Sequence, residues 1–129
     1  MKSDGKKSAH VLVVEDDESI SLLLEQVLKI DDHEVQRAQN GRIALEILKK
    51  SEKLPDLIIL DLTMPVMDGA EFRTLQLADL KLASIPVILM TADNQVSKIV
   101  KDLQIKNIIK KPLSIDTLLN CVSQILLDK

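Results

Sequence analysis

The sequence predicts an α/β domain of five βα units, wound as an open parallel sheet with helices on both faces. Three observations predict it. Val11-Leu12-Val13-Val14, Leu57-Ile58-Ile59-Leu60 and Val87-Ile88-Leu89-Met90 are short apolar runs bounded by charged, polar or proline residues. Strands covered on both faces read this way, because neither alternating face meets water. Helical periodicity fills the gaps, so strand and helix alternate, which implies a parallel sheet with right-handed crossovers. The 129 residues suit one domain; a closed eight-fold barrel would need roughly twice that length. Five strands in this span suit the flavodoxin-like, doubly wound (βα)5 order 2-1-3-4-5.

The elements follow in turn. After the first run, Ile20, Leu23, Leu24, Val27 and Leu28 form one apolar helical stripe. Glu34-Val35-Gln36-Arg37-Ala38 is a weaker strand. Asn40-Gly41 reads as a turn or cap before the stripe Ile43, Ala44, Ile47 and Leu48. Beyond the second run, Asp68-Gly69 opens a less regular helix carrying Phe72, Leu75 and Asp79. Beyond the third, Ala92-Asp93-Asn94 leads into Val96, Ile99, Val100 and Leu103. Asn107-Ile108-Ile109-Lys110 suits an edge strand, with charge where the sheet stops. Ser114 is placed to cap the clearest helix, with Ile115, Leu118, Leu119, Val122, Ile125 and Leu126 on its stripe.

Composition removes several function classes. Hydrophobic residues at 46% and charged residues at 29% fit a folded soluble domain. A net charge of −3, with Phe72 the single aromatic residue, argues against nucleic acid. The apolar runs fall far short of the ~20 residues that span a bilayer. The polar, Lys-rich start is no secretory signal. One cysteine excludes an internal disulfide framework, and two histidines are too few for the usual zinc sites. A cytoplasmic domain is expected.

In open α/β sheets, ligands bind beyond the carboxyl ends of the strands, at the switch between the first and third. The residues leaving the strands there are Glu15-Asp16-Asp17, then Asp61 with Leu62-Thr63-Met64-Pro65, then Thr91-Ala92, then Lys110-Lys111-Pro112. Clustered carboxylates repel one another unless a cation intervenes. Mg2+ is suited, taking one or two carboxylates together with water and phosphate oxygens. A lysine and a threonine hydroxyl suit a phosphoryl group, with Asp61 as the nucleophile that forms a mixed anhydride.

Four pieces in order, each at a strand end, carry a family resemblance: Val11 to Asp17, Leu60-Asp61-Leu62-Thr63-Met64-Pro65 with Met67-Asp68-Gly69, Pro86 to Ala92, and Lys111-Pro112. From His10 to Leu127 the chain closely resembles the receiver domain of two-component response regulators, of the stand-alone chemotaxis-receiver kind. The resemblance implies a flexible segment over 1–9 and a receiver domain over 10–129. It implies that Asp61 is the phosphoacceptor, becoming a 4-aspartyl phosphate with a group from a sensor histidine kinase or a histidine phosphotransfer protein. Glu15, Asp16, Asp61 and the Thr63 backbone carbonyl would hold Mg2+, with Mn2+ as a substitute. Thr91, the Ala92 backbone N–H and Lys111 would contact the phosphoryl group; Lys111 is preferred to Lys110 because it directly precedes proline. Thr63 and Asp93 flank the group and would tune its hydrolysis. Such a domain is a signalling module, assisting only its own phosphotransfer and dephosphorylation. Its downstream protein partner would meet the face made by the fourth helix, fifth strand and fifth helix.

The chain departs from the family in two places. Ile108 stands where an aromatic switch residue is common, so a smaller or differently routed change is expected on that face. The segment from Thr91 to Lys111 is short and lacks a glycine near Leu103-Gln104-Ile105, so a short or displaced fourth helix is expected.

Several residues have plainer readings. Asp17 and Glu18 read as a cap and a first-turn acid, and Lys110 as a solvated edge lysine. Cys121 reads as a small helix residue, and Met64 and Met67 as packing. His10 and His33 have no catalytic partner in sequence.

Three competing functions fit these residues less well. A pseudo-receiver used unphosphorylated as an interaction module would not need the acids, hydroxyl and lysine together. A haloacid-dehalogenase-like phosphatase would want a second aspartate where Thr63 stands. A flavin protein would meet three acids where its cofactor phosphate should bind.

Overall fold

A computed structural model describes residues 8–128. Residues 1–7 of the expected N-terminal segment lie outside the described residues, as does residue 129. Five strands, β1 (His10–Val14), β2 (Glu34–Ala38), β3 (Leu57–Asp61), β4 (Val87–Thr91) and β5 (Asn107–Lys110), form one parallel sheet in the order β2-β1-β3-β4-β5. They alternate with α1 (Glu18–Ile30), α2 (Gly41–Lys50), α3 (Gly69–Ala78), α4 (Ser97–Asp102) and α5 (Ile115–Leu127). The three apolar runs are the central strands and the two mixed runs are the edges, as half-paired strands require.

The period-2 alternation of the strands divides the core between two layers. Leu12, Val14, Ile58, Leu60, Val87 and Leu89 face one layer, with residues of α2 and α3. Val11, Val13, Leu57, Ile59, Ile88 and Met90 face the other, with α1 and α5. Four helices begin on a side chain that accepts a backbone N–H: Asp17 from Ile20 at 3.1 Å, Asn40 from Ile43 at 3.0 Å, Asp68 from Glu71 at 2.9 Å and Ser114 from Thr117 at 3.3 Å. No side chain caps α4, which is six residues long.

Three expectations are corrected. In α3 the buried face is Phe72, Arg73 and Gln76; Leu75 is exposed and Asp79 is the C-cap. An apolar stripe could not show this, because the inward positions are polar and satisfied by hydrogen bonds. In α1, Leu23 of the expected stripe is 42% exposed, while Ser21 is buried. Ser8 and Ala9, expected before the domain, are held by it. Ala9 is buried and its N–H donates to Nδ1 of His33 at 3.0 Å, and the Ser8 hydroxyl donates to the Asp32 carbonyl. None of the described helices is long and apolar enough to cross a membrane.

Candidate functional site

The register of the sheet assembles the site. Val14 lies opposite Leu60, Asp61 opposite Met90, and Thr91 opposite Lys110, so the strands end level. Glu15 leaves β1, Asp61 and Thr91 close β3 and β4, and Lys111 follows β5. Residues from across the chain thereby reach one rim.

Glu15, Asp61 and Thr91 are each at most 3% exposed, whereas Asp16 and Thr63 are exposed. One carboxylate oxygen from each of Glu15, Asp16 and Asp61 lies within 4.8 Å of the others. The Lys111 ammonium reaches over them, donating at 3.2 Å to Oε1 of Glu15 and at 3.2 Å to Oδ1 of Asp61. The other Glu15 oxygen accepts from the Asp17 N–H at 3.1 Å. Oγ1 of Thr91 accepts from the Asp93 N–H at 3.0 Å, and the hydroxyl keeps its own O–H as a donor. The Thr63 N–H points to Oδ1 of Asp61 at 3.5 Å.

These contacts set the electrostatics. Burial raises the Glu15 carboxyl to about 7; the Asp61 carboxylate adds to this, while the Asp17 N–H and Lys111 oppose it. Burial works against the Lys111 ammonium, but Asp61 and Glu15 outweigh it and hold its pKa above the ordinary value.

The site therefore brings together Glu15, Asp16, Asp61, Thr91 and Lys111. Thr63, Ala92 and Asp93 are exposed on the loops beside it. The Lys111–Pro112 peptide is cis. Ile108 sits on β5 opposite Leu89 and is 37% exposed. Among the plainer readings, Asp17 is the α1 cap and Lys110 donates at 2.7 Å to Asn94 on the surface. His33 is a buried residue between Ala9 and Asp31. Burial pushes the Cys121 thiol up, away from the thiolate that redox chemistry uses.

Three oxygen donors within one ion's reach, two of them buried beside a single cation, fit a hard divalent ion. Sequence reasoning missed two features of the rim. A Cβ on Gly69 would lie 2.5 Å from the Asp61 carbonyl oxygen, so α3 starts directly against the Asp61 backbone. Val66, in the loop after Asp61, has φ of 71°, a region β-branched residues avoid. Asp68-Gly69 signalled the helix start; the clash with a strand end needed the fold.

A family model for the response regulator receiver domain matches residues 11–123. The chain belongs to this family, whose members accept phosphoryl groups from histidine kinases or phosphotransfer proteins. Among curated relatives, the sporulation initiation phosphotransferase F of Bacillus subtilis is 34% identical over 119 residues, covering 90% of this chain and 92% of that protein. The two-component response regulator ORR26 of Oryza sativa is 37% identical over 94 residues, covering 73% of this chain and 16% of that protein. The chain spans less than a fifth of the length of the first four relatives of this kind. Among solved structures, the chemotaxis response regulator CheY4 of Vibrio cholerae superposes with a TM-score of 0.84 at 29% identity, over 92% of this chain and 99% of that one. The receiver domain of a signal transduction histidine kinase from Syntrophus aciditrophicus gives 0.85 at 29%, over 94% and 92%.

Proposed function

We propose that Asp61 accepts a phosphoryl group from the phosphohistidine of a sensor kinase or phosphotransfer protein, and that the phosphorylated chain presents an altered α4–β5–α5 face to a protein partner. The observation that carries this is the contact of the Lys111 ammonium with Asp61, inside a rim of further acids.

A carboxylate oxygen of Asp61 attacks phosphorus as the P–N bond to the donor imidazole breaks, and the imidazole departs with the bonding pair. Thr63 and Ala92 flank the transferred oxygens. Lys111 follows the new charge as a point cation, and the Thr91 hydroxyl donates to one oxygen. Glu15, Asp16, Asp61 and the Thr63 carbonyl would hold Mg2+, which when bound supplies charge neutralisation for the acids and the phosphoryl oxygens. Asp93 and Thr63 govern water's approach to the acyl phosphate from the exposed side. A protein donor is supported by an apolar hollow of about 230 Å3 beside the rim, lined by Ile20, Leu23, Met90, Lys111, Pro112 and Leu113. It offers a protein donor apolar contact next to the rim.

Intact mass after incubation with Mg2+ and acetyl phosphate tests the reading. One added phosphoryl group is expected in the parent, and none in Asp61→Asn or without Mg2+. A parent that gains nothing from either acetyl phosphate or a phosphorylated histidine donor would leave the unphosphorylated interaction module as the better account.

A further inference from the structure

α3 joins the phosphoacceptor to α4 through one buried side chain. At its start, the Gly69 N–H donates to the Leu62 carbonyl at 2.9 Å, and the glycine lies flush against the Asp61 backbone. One turn on, Arg73 carries a guanidinium in a residue only 7% exposed. Its Nε donates to the Leu103 carbonyl at 3.0 Å, one terminal nitrogen to the Gln104 carbonyl at 3.1 Å, and the other to Oε1 of Gln76 at 2.9 Å. Gln76 is fully buried and is fixed in turn by donating at 3.0 Å to the carbonyls of both Leu82 and Ile85.

The carbonyls that Arg73 grips end α4. The helix stops in a Schellman turn, with the Ile105 N–H on the Val100 carbonyl and the Gln104 N–H on that of Lys101. Gln104 occupies its left-handed position at φ 54°, where glycine is usual. At the other end of α4 no side chain caps the helix, and none of its own residues is fully buried. Arg73 thus supplies a polar anchor at one end of a short helix that is otherwise held by apolar contacts, from the buried Val96 and the partly buried Ile99, Val100 and Leu103. Burial disfavours the charged guanidinium, so this placement is retained at a cost.

We infer that Arg73 is the positioning residue that couples α4 to the phosphoacceptor loop, so that a displacement at Asp61 reaches the α4–β5–α5 face through α3. This rests on the function proposed above and supplies a route that does not need an aromatic at Ile108.

The test is Arg73→Met, similar in length and without donors, measured beside the parent by intact mass and by amide shift changes on phosphorylation with acetyl phosphate and Mg2+. Both chains should gain one phosphoryl group, with equal shift changes over 61–69. Changes over 97–104 should fall to about half or less in the variant, in line with the size of known coupling mutations. In Arg73→Lys, which keeps the charge but loses the fork, they should be intermediate; that variant also serves if Arg73→Met does not fold. Parental shift changes over 97–104 in a phosphorylated variant would overturn the inference alone. A parent that takes up no phosphoryl group from acetyl phosphate or from a phosphorylated histidine donor would overturn the phosphoacceptor reading, and the transmission step with it, and would be recognised by mass.

Discussion

The Lys111 ammonium stands 3.2 Å from Oδ1 of Asp61 across fifty residues of sequence, joining the last strand of the sheet to the middle one. It is also shared with Glu15 at 3.2 Å, so one cation serves two buried carboxylates. Removing it should leave both acids under-compensated. Lys111→Met is expected to lose about 1–3 kcal/mol at neutral pH, the cost of leaving a buried acceptor without its donor. Mg2+ should restore part of the loss, because a counterion at the same acids does the same electrostatic work. Thermal melts with and without Mg2+ check this. Phosphoryl uptake should fall about tenfold or more, the worth of a charge-assisted hydrogen bond.

Glu15 makes stability depend on pH. Its folded pKa of about 7 lies above the ordinary 4.5, so between those values the folded chain binds the proton more tightly than the unfolded one. Stability contributed by this group is therefore lost as pH rises from 4.5 through 7. Glu15→Gln removes the ionisation. In metal-free buffer it should be more stable than the parent by about 1–3 kcal/mol at about pH 8, with the gain vanishing at about pH 4. A gain that is the same at both ends would show that Glu15 is not the source.

Gly69 is required by close approach. A Cβ there would lie 2.5 Å from the Asp61 oxygen and 2.9 Å from the Leu62 Cα, both backbone atoms at the end of a buried strand. Gly69→Ala should lower stability by about 1–3 kcal/mol, as overpacking does, read as a lower denaturant midpoint. It should also slow phosphoryl uptake, since the atoms displaced belong to the phosphoacceptor residue.

Val66 stores strain on the same loop. At φ 71° its branched side chain sits in the left-handed region, and it is 71% exposed, so replacing it removes little packing. Val66→Asn, which tolerates that region better, should raise stability by about 1 kcal/mol. An unchanged or lower melting temperature would show that the loop does not need that backbone angle.

Much of the site was legible because the fold places functional residues where strands end, and strand ends are visible as the edges of apolar runs. Glu15, Asp16, Asp61, Thr91 and Lys111 were all readable in this way. Arg73 and Gln76 were not. Apolar periodicity finds buried helix faces only when they are apolar; Gln76 is admitted to the interior by the carbonyls of Leu82 and Ile85, and Arg73 by those of Leu103 and Gln104, which lie far along the chain. Ser21 of α1, polar and buried, escaped in the same way, while the exposed Leu23 misled the stripe in the opposite sense.

By itself the sequence determined the alternation of strand and helix, the central place of the three apolar runs, the helix caps and the residues delivered to the rim. These depend on local periodicity and short-range hydrogen bonding, both written in neighbouring residues. Only the tertiary structure decided that Lys111 is shared between Glu15 and Asp61, that Gly69 lies against the Asp61 backbone, and that Arg73 anchors the end of α4. Each is a contact between segments brought together by sheet register and helix packing. Their energies come from burial and distance, which no residue carries in its own neighbourhood.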